Sequence, residues 1–190
     1  MHMDMVNVIV DGKTVSVHKS ATVLNAANKA GIKVPTLCYH HELRPEGACR
    51  VCMVEVEGAR SLVASCVYPV NEGMVIRTNT ENVRKARKSV VELMLANHPQ
   101  SCLYCVRNGN CELQNIAADL GIREVPFLGG ERKHYELDDT NPSLVRDNEK
   151  CILCGRCVKV CAERQGLSVY SFTHRGFDTV VSPAFEEGLV

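Results

Sequence analysis

The most constraining stretch of this 190-residue chain is Cys151-Ile-Leu-Cys154-Gly-Arg-Cys157-Val-Lys-Val-Cys161, whose cysteines are separated by two, two and three residues. Thiolates packed this densely repel one another and oxidise readily unless a soft cation holds them. Three cysteines at this spacing wrap one corner of a 4Fe–4S cube, and a fourth, a helical turn further on, usually ligates another cluster. A zinc site would normally separate its two Cys-x-x-Cys knuckles by a longer loop. The chain has eleven cysteines in all, and the other seven read as candidates for the same chemistry.

The totals narrow the field. With 22 basic and 22 acidic residues the formal charge is zero, so the net basic footprint of a nucleic-acid binder is missing. No apolar run reaches the roughly 18 residues of a membrane span. The segment Met1-His2-Met3-Asp4-Met5 is not a basic stretch leading into an apolar core, so no secretory leader is expected. Cysteine-rich chains without such a leader belong in a reducing compartment, here the cytoplasm, and use their thiols for metals rather than disulfides. An odd count fits a disulfide framework poorly. Tryptophan is absent and aromatics are few, so internal metal centres would supplement modest apolar cores.

Residues 1–78 read as a small α+β domain. Val6–Val10 and Thr14–Val17 flank Asp11-Gly12, a strong hairpin signal because a type I′ turn needs positive φ. Ser20 or Thr22 can cap a helix over 22–30, with Val23, Ala26, Ala27 and Ala30 on one face and Gly31 as its stop. Strand-like stretches recur at 52–57, 61–67 and 74–78, with a turn at Glu57-Gly58. A hairpin, a helix and further strands are compatible with a β-grasp. Its cysteines, Cys38, Cys49, Cys52 and Cys66, are spaced C-x10-C-x2-C-x13-C. The plant-type 2Fe–2S pattern has a first gap of four, so that simple pattern is not matched. The loop 39–48 can still fold over a two-iron cluster, with Gly47 and Ala48 letting backbone N–H groups approach bridging sulfurs. A four-cysteine zinc knuckle is the alternative. His40 and His41 read as exposed loop residues.

Residues 79–122 read as a helical domain. A helix is expected from Thr80 to about Asn97, with Val83, Ala86, Val90, Leu93 and Met94 as its apolar stripe. Arg84, Lys85, Arg87 and Lys88 cluster off that stripe as a solvated face. Pro99 pushes His98 out of the α region, so His98 projects from the helix end just before Cys102, Cys105 and Cys111. The pattern H-x3-C-x2-C-x5-C supplies four ligands that suit zinc or a 4Fe–4S cluster equally well. A short helix, 112–120, follows and stops at Gly121, with Leu113, Ile116, Ala117 and Leu120 on one side.

Here the motifs resemble a known group. Cys49-Arg-Val-Cys52-Met-Val-Glu-Val, His98-Pro-Gln-Ser-Cys102 and Asn108-Gly-Asn-Cys111-Glu-Leu-Gln are similar to the large iron–sulfur subunit of NADH:quinone oxidoreductase. They also resemble its relatives in NAD(P)-linked hydrogenases and formate dehydrogenases, above all the N-terminal part of electron-bifurcating FeFe-hydrogenases. The resemblance covers nearly the whole chain, and three cluster motifs in this order are very specific. It implies a 2Fe–2S cluster on Cys38, Cys49, Cys52 and Cys66, and a 4Fe–4S cluster on His98, Cys102, Cys105 and Cys111.

Residues 123–190 read as a ferredoxin-like 4Fe–4S domain that is truncated. Residues 122–148 form a connector with a short strand expected near 133–137. Cys157 and Cys161 fall on a helix reaching Glu163, Gly155 permits a close turn, and 168–173 with 177–181 make a hairpin around Arg175-Gly176. No cysteine follows Cys161, although two-cluster relatives carry a second run. Either Cys161 closes a single cluster with Cys151, Cys154 and Cys157, or the chain is a fragment in which it serves a further cube. The fragment reading is the expectation.

No G-x-G-x-x-G after a strand and no Walker motif occurs, and the reactive thiols are all candidate ligands. A chain with redox centres and no substrate site is most simply an electron conduit; a structural zinc module is the competing class. The resemblance implies a flavin/NAD(P)H-oxidising iron–sulfur partner on one side. On the other it implies hydrogenase, formate dehydrogenase or quinone chemistry outside this chain, with ferredoxin as a further exchange partner. The chain alone is not expected to turn over hydrogen.

Overall fold

The computed structural model describes residues 4–127, 134–186 and 188. Strand β1 (Met5–Val10) and β2 (Lys13–His18) form the expected hairpin, Val6 facing Val17 and Val8 facing Val15. Asp11 (φ 45°) and Gly12 (φ 83°) both take positive φ, as a type I′ turn requires. The Asp11 carboxylate also accepts the Thr78 backbone N–H at 2.7 Å and its hydroxyl at 2.5 Å, pinning the turn to a distant strand. Helix α1 (Val23–Lys29) starts from a capping box, in which the Asn25 N–H donates to Thr22 Oγ1 and the Thr22 N–H donates to Asn25 Oδ1. It stops where Gly31 adopts φ 74°.

The remaining strands of the first unit are shorter than their β-prone sequence: β3 (Met53–Val56), β4 (Val63–Ala64) and β5 (Val75–Arg77). They complete a mixed five-stranded sheet in the order β2-β1-β5-β3-β4, with β5 parallel to β1. Val6, Val8 and Val10 alternate inward along β1 and pack with Val23, Leu24, Ala26 and Ala27 of α1. Cys52 and Cys66 are buried members of the same core.

Helix α2 (Glu81–Ala96) is capped by Thr80 and ends before Pro99, as its sequence requires. Its buried face is rotated from the expected stripe. Val83, Arg87, Val91, Glu92 and Ala96 are buried, whereas Leu93 is 56% exposed. Arg87 is thus not part of a solvated face: its guanidinium Nη2 donates to the Met53 carbonyl at 2.7 Å. Residues 83, 87 and 91 form one i, i+4, i+8 row, in which the two valines are buried and Arg87 supplies a donor to the β3 carbonyl.

Helix α3 (Glu112–Asp119) buries Leu113, Ile116 and Ala117 and ends at Gly121, as read from sequence. A second apolar cluster joins them to Leu37, Val51 and Val91. In the connector no strand lies over 134–137, and Lys133 lies outside the described residues. A hairpin of β6 (Asp138–Asn141) and β7 (Leu144–Arg146) follows instead. It is held by polar groups: Asp138 faces Arg146 and accepts its guanidinium at 2.9 and 2.5 Å, and the Thr140 hydroxyl donates to the same carboxylate at 2.7 Å. A hairpin closed by side-chain hydrogen bonds leaves no apolar alternation for sequence periodicity to find.

Helix α4 (Arg156–Glu163) carries Cys157 and Cys161, and a hairpin of β8 (Tyr170–Thr173) and β9 (Val180–Pro183) packs beyond it. No helix among the described residues is long and apolar enough to cross a membrane.

Candidate metal centres

The first cysteine group is built into the sheet and its neighbouring loop. Cys52 stands just before β3 and Cys66 just after β4, and their sulfurs lie 3.4 Å apart. Cys38 and Cys49 bracket the intervening loop, each donating its backbone N–H to the other's sulfur, at 3.4 and 3.5 Å. Cys38, Cys52 and Cys66 are buried and Cys49 is half-buried. Gly47 takes φ 67°, and a Cβ there would stand 3.1 Å from Val67 Cγ2, so a side chain would force the loop off its seat.

The electrostatics of these four thiols alternate. Hydrogen bonding from Cys49, then Cys66, holds Cys38 well below the ordinary thiol range. Hydrogen bonding from Cys66 lowers Cys52 to about 6. Cys49 is driven up by its hydrogen bond to Cys38 and by burial, and Cys66 by its bonds to Cys38 and Cys52. Within each close pair one thiol is thus held down and its partner up, chiefly because the two share a hydrogen bond. All four can ionise together only around a compact positive charge, which is what a metal centre provides.

The second group is assembled from turns. Cys102 opens a short 3-10 turn, Cys102–Tyr104, and Cys111 is the N-cap of α3. His98, Cys102, Cys105 and Cys111 all line one cavity, together with Asn108, Gln114 and Lys150. His98 Nδ1 lies 2.9 Å from the Pro99 carbonyl oxygen. That oxygen can only accept, so Nδ1 is the donor, and it is Nε2 that offers a lone pair in the neutral ring. This is the orientation a metal-ligating histidine takes when a backbone carbonyl fixes its tautomer. Gln114 stiffens the rim by accepting the Gly109 N–H at 3.1 Å and donating to Asn108 Oδ1 at 3.0 Å. Between the cysteines, Leu103, Tyr104 and Val106 are 83, 90 and 92% exposed.

The third group begins where Cys151 ends a 3-10 turn, Asn148–Lys150. Its sulfur accepts the Leu153 N–H at 3.4 Å, and Leu153 itself takes φ 53°. Burial, followed by charge on Cys157 and Cys154, pushes the Cys151 thiol up. Gly155 caps α4 at φ 71°, with the Phe172 ring 3.3 Å from where a Cβ would stand; a side chain there would be strained and would press on that ring. Cys161 differs from its neighbours. It is buried, and its sulfur accepts the Val169 N–H at 3.3 Å from the far side of α4.

The three groups meet. Cys49 of the first and Cys111 of the second pack against one apolar cluster of Leu37, Val51, Val91, Leu113, Ile116 and Ala117, and Ile152, between Cys151 and Cys154, packs against it from the third. Helix α4 docks on the first group's loop through charged residues that a search for ligands passes over. Arg156 donates to the Tyr39 carbonyl at 2.9 Å and grips Glu112 at 2.5 and 3.3 Å. Arg164 donates to the Glu42 carbonyl, and the Arg44 N–H donates to Glu163 at 2.9 Å. Residues 156 and 159, three apart inside the cysteine run, were the available signal: both lie on one helical face. Among the described residues, no three His, Cys, Asp or Glu side chains are arranged to share one metal ion.

Comparison with known proteins follows the same three parts. Residues 3–81 match the 2Fe-2S iron-sulfur cluster binding domain. Residues 87–126 match the NADH-ubiquinone oxidoreductase-G iron-sulfur binding region, and residues 144–161 a 4Fe-4S binding domain. The chain is 47% identical over 192 residues to NADP-reducing hydrogenase subunit HndD of Solidesulfovibrio fructosivorans, covering 98% of this chain and 33% of that one. By its three domain matches the chain is a set of 2Fe-2S and 4Fe-4S iron–sulfur binding domains. It is also 38% identical over 186 residues to an NADH-quinone oxidoreductase subunit of Rhizobium meliloti, covering 97% of this chain and 22% of the relative. An NADPH-Fe(3+) oxidoreductase subunit alpha of Geobacter sulfurreducens is 38% identical over 177 residues, covering 93% and 21%. The chain thus spans a third or less of the length of these relatives. A crystal structure of NAD+-reducing [NiFe]-hydrogenase superposes with a TM-score of 0.87 at 29% identity, covering 94% of this chain and 75% of the other.

Proposed function

We propose that the chain is an electron relay with three stations. The observation that carries the reading is that three segments, each matched to an iron–sulfur domain, meet on one apolar cluster, through Cys49, Cys111 and Ile152. In this reading Cys38, Cys49, Cys52 and Cys66 hold a 2Fe–2S cluster in a β-grasp unit, residues 1–78. His98 through Nε2, with Cys102, Cys105 and Cys111, holds a 4Fe–4S cluster in residues 79–122. Cys151, Cys154 and Cys157 hold a further 4Fe–4S cluster in residues 123–190, and buried Cys161 serves a second cube outside these ligands. Such clusters, when bound, exchange single electrons at potentials set by cluster type, hydrogen bonds to sulfur and exposure. The chain's own part is to exclude water around Cys52 and Cys66 and to fix the His98 tautomer through Pro99. It also donates backbone N–H groups to the sulfurs of Cys38, Cys49 and Cys151.

The partners in this reading are a flavin/NAD(P)H-oxidising iron–sulfur subunit and a hydrogenase-type catalytic centre, with the cytoplasm as the compartment. The relatives' names support that pairing, and equivalent relays in quinone or formate chemistry would use the same three stations. The test is iron, sulfide and zinc analysis of anaerobically purified protein. One 2Fe–2S and two 4Fe–4S clusters give about ten irons with matching sulfide; zinc without acid-labile sulfide would sink the relay. In the same preparation, His98→Ala removes one 4Fe–4S signal and spares the other two centres. Unchanged spectra would exclude His98 as a ligand.

A further inference from the structure

Lys159 sits on α4 between Cys157 and Cys161 and is only 5% exposed. Lysine is almost never buried to this degree without partners, because taking an ammonium out of water is costly. Its neighbours all belong to the first cysteine group's loop. Nζ donates to the Arg44 carbonyl at 3.3 Å and lies 3.5 Å from the carbonyl oxygen of Cys38 itself. Its counter-charge is poor: the Glu46 carboxylate stands 3.9 Å away and is 43% exposed. Arg156, one turn earlier, is different, because Glu112 takes its guanidinium at 2.5 Å. Arg164 reaches the same loop at the Glu42 carbonyl, but it is exposed and lies beside Glu163, so the buried cation that α4 brings to the first group is Lys159.

We infer that Lys159 is a positioning residue that raises the reduction potential of the 2Fe–2S station from a helix belonging to another station. The inference rests on the reading that Cys38 and its three partners hold that cluster. Reduction adds one electron, and a fixed cation beside the Cys38 peptide stabilises the more negative, reduced form relative to the oxidised one. Burial makes that interaction stronger than it would be at the surface, since low local dielectric screens it less. The helix linking the third group's ligands would thereby set the driving force at the first.

The experiment is an EPR-monitored titration with dithionite on the full chain, following the 2Fe–2S signal separately from the 4Fe–4S signals. Lys159→Met should lower the 2Fe–2S midpoint by roughly a tenfold change in its reduction equilibrium, about 59 mV for one electron. Lys159→Arg should restore most of it. Glu46→Gln, on the exposed side of the pair, should move the midpoint upward by a smaller amount. A Lys159→Met chain that loses thermal stability while its 2Fe–2S midpoint stays put, or that shifts only a 4Fe–4S signal, would overturn the inference. If Lys159→Met does not fold, Glu46→Gln decides: no upward shift overturns it. Absence of any 2Fe–2S signal in the unaltered chain would instead remove the relay reading of the first group, and the two failures are thereby told apart.

Discussion

The first and second cysteine groups set their thiols on opposite scaffolds. Cys52 and Cys66 are members of a valine-rich core, flanked by strands whose register is fixed across a five-stranded sheet. Cys102 and Cys105 sit in turns whose intervening apolar side chains face solvent. The first site is therefore formed largely by packing that exists without metal, whereas the second depends on whatever occupies its cavity. The difference follows from sequence distance. Cysteines 28 residues apart, from Cys38 to Cys66, must be brought together by a fold. Candidate ligands within a 14-residue stretch, from His98 to Cys111, lie close enough in sequence for a bound metal centre to gather them.

The largest effect that separates the two is metal removal. After chelation, amide exchange should become rapid over residues 98–111 while β1 and β5 keep their protection. Equal loss in both regions would erase the contrast. A smaller difference is expected from single ligands in the metal-free chain. Cys66→Ala opens a void in the sheet core and should cost about 1–3 kcal/mol in denaturant unfolding, whereas Cys102→Ala should stay within about 0.5 kcal/mol. Matching losses would mean that the second site is preformed as well. A comparable or slightly smaller cost, about 1–2 kcal/mol, is expected for Arg87→Met, which removes a charged hydrogen bond to the Met53 carbonyl beside Cys52. Burial lowers the Arg87 pKa, while the Cys52 sulfur and Asp11 carboxylate raise it, so this residue should report on the first site and leave the second untouched. Altered spectra at the His98 station in this variant would show that α2 couples the two.

The cysteine groups and most of the elements were legible in the sequence for physical reasons. Cysteine spacing is a statement about reach, and Asp11-Gly12, Thr22 and Pro99 act through local dihedrals and caps that do not wait for tertiary contacts. What stayed hidden depended on those contacts. The rotation of α2 is decided by a carbonyl at Met53, and helical periodicity weighs Arg87 as polar wherever its end group goes. The β6–β7 hairpin is held by an Asp138–Arg146 pair rather than by apolar alternation. Lys159 and Arg156 stood in plain view between cysteines, but their acceptors lie 121 and 117 positions away, and no local pattern specifies them.

That separation has a temporal meaning. A ribosome adding about 5–20 residues per second needs roughly 6–24 s to travel the 121 positions from Cys38 to Lys159. During that interval the nascent chain can close its five-stranded sheet, since β5 ends at Arg77. The loop over Cys38 meanwhile lacks the latch that α4 later supplies. Until residue 159 has been added, that loop stands without the two donors, Arg156 and Lys159, that later close on the carbonyls of Tyr39 and Cys38.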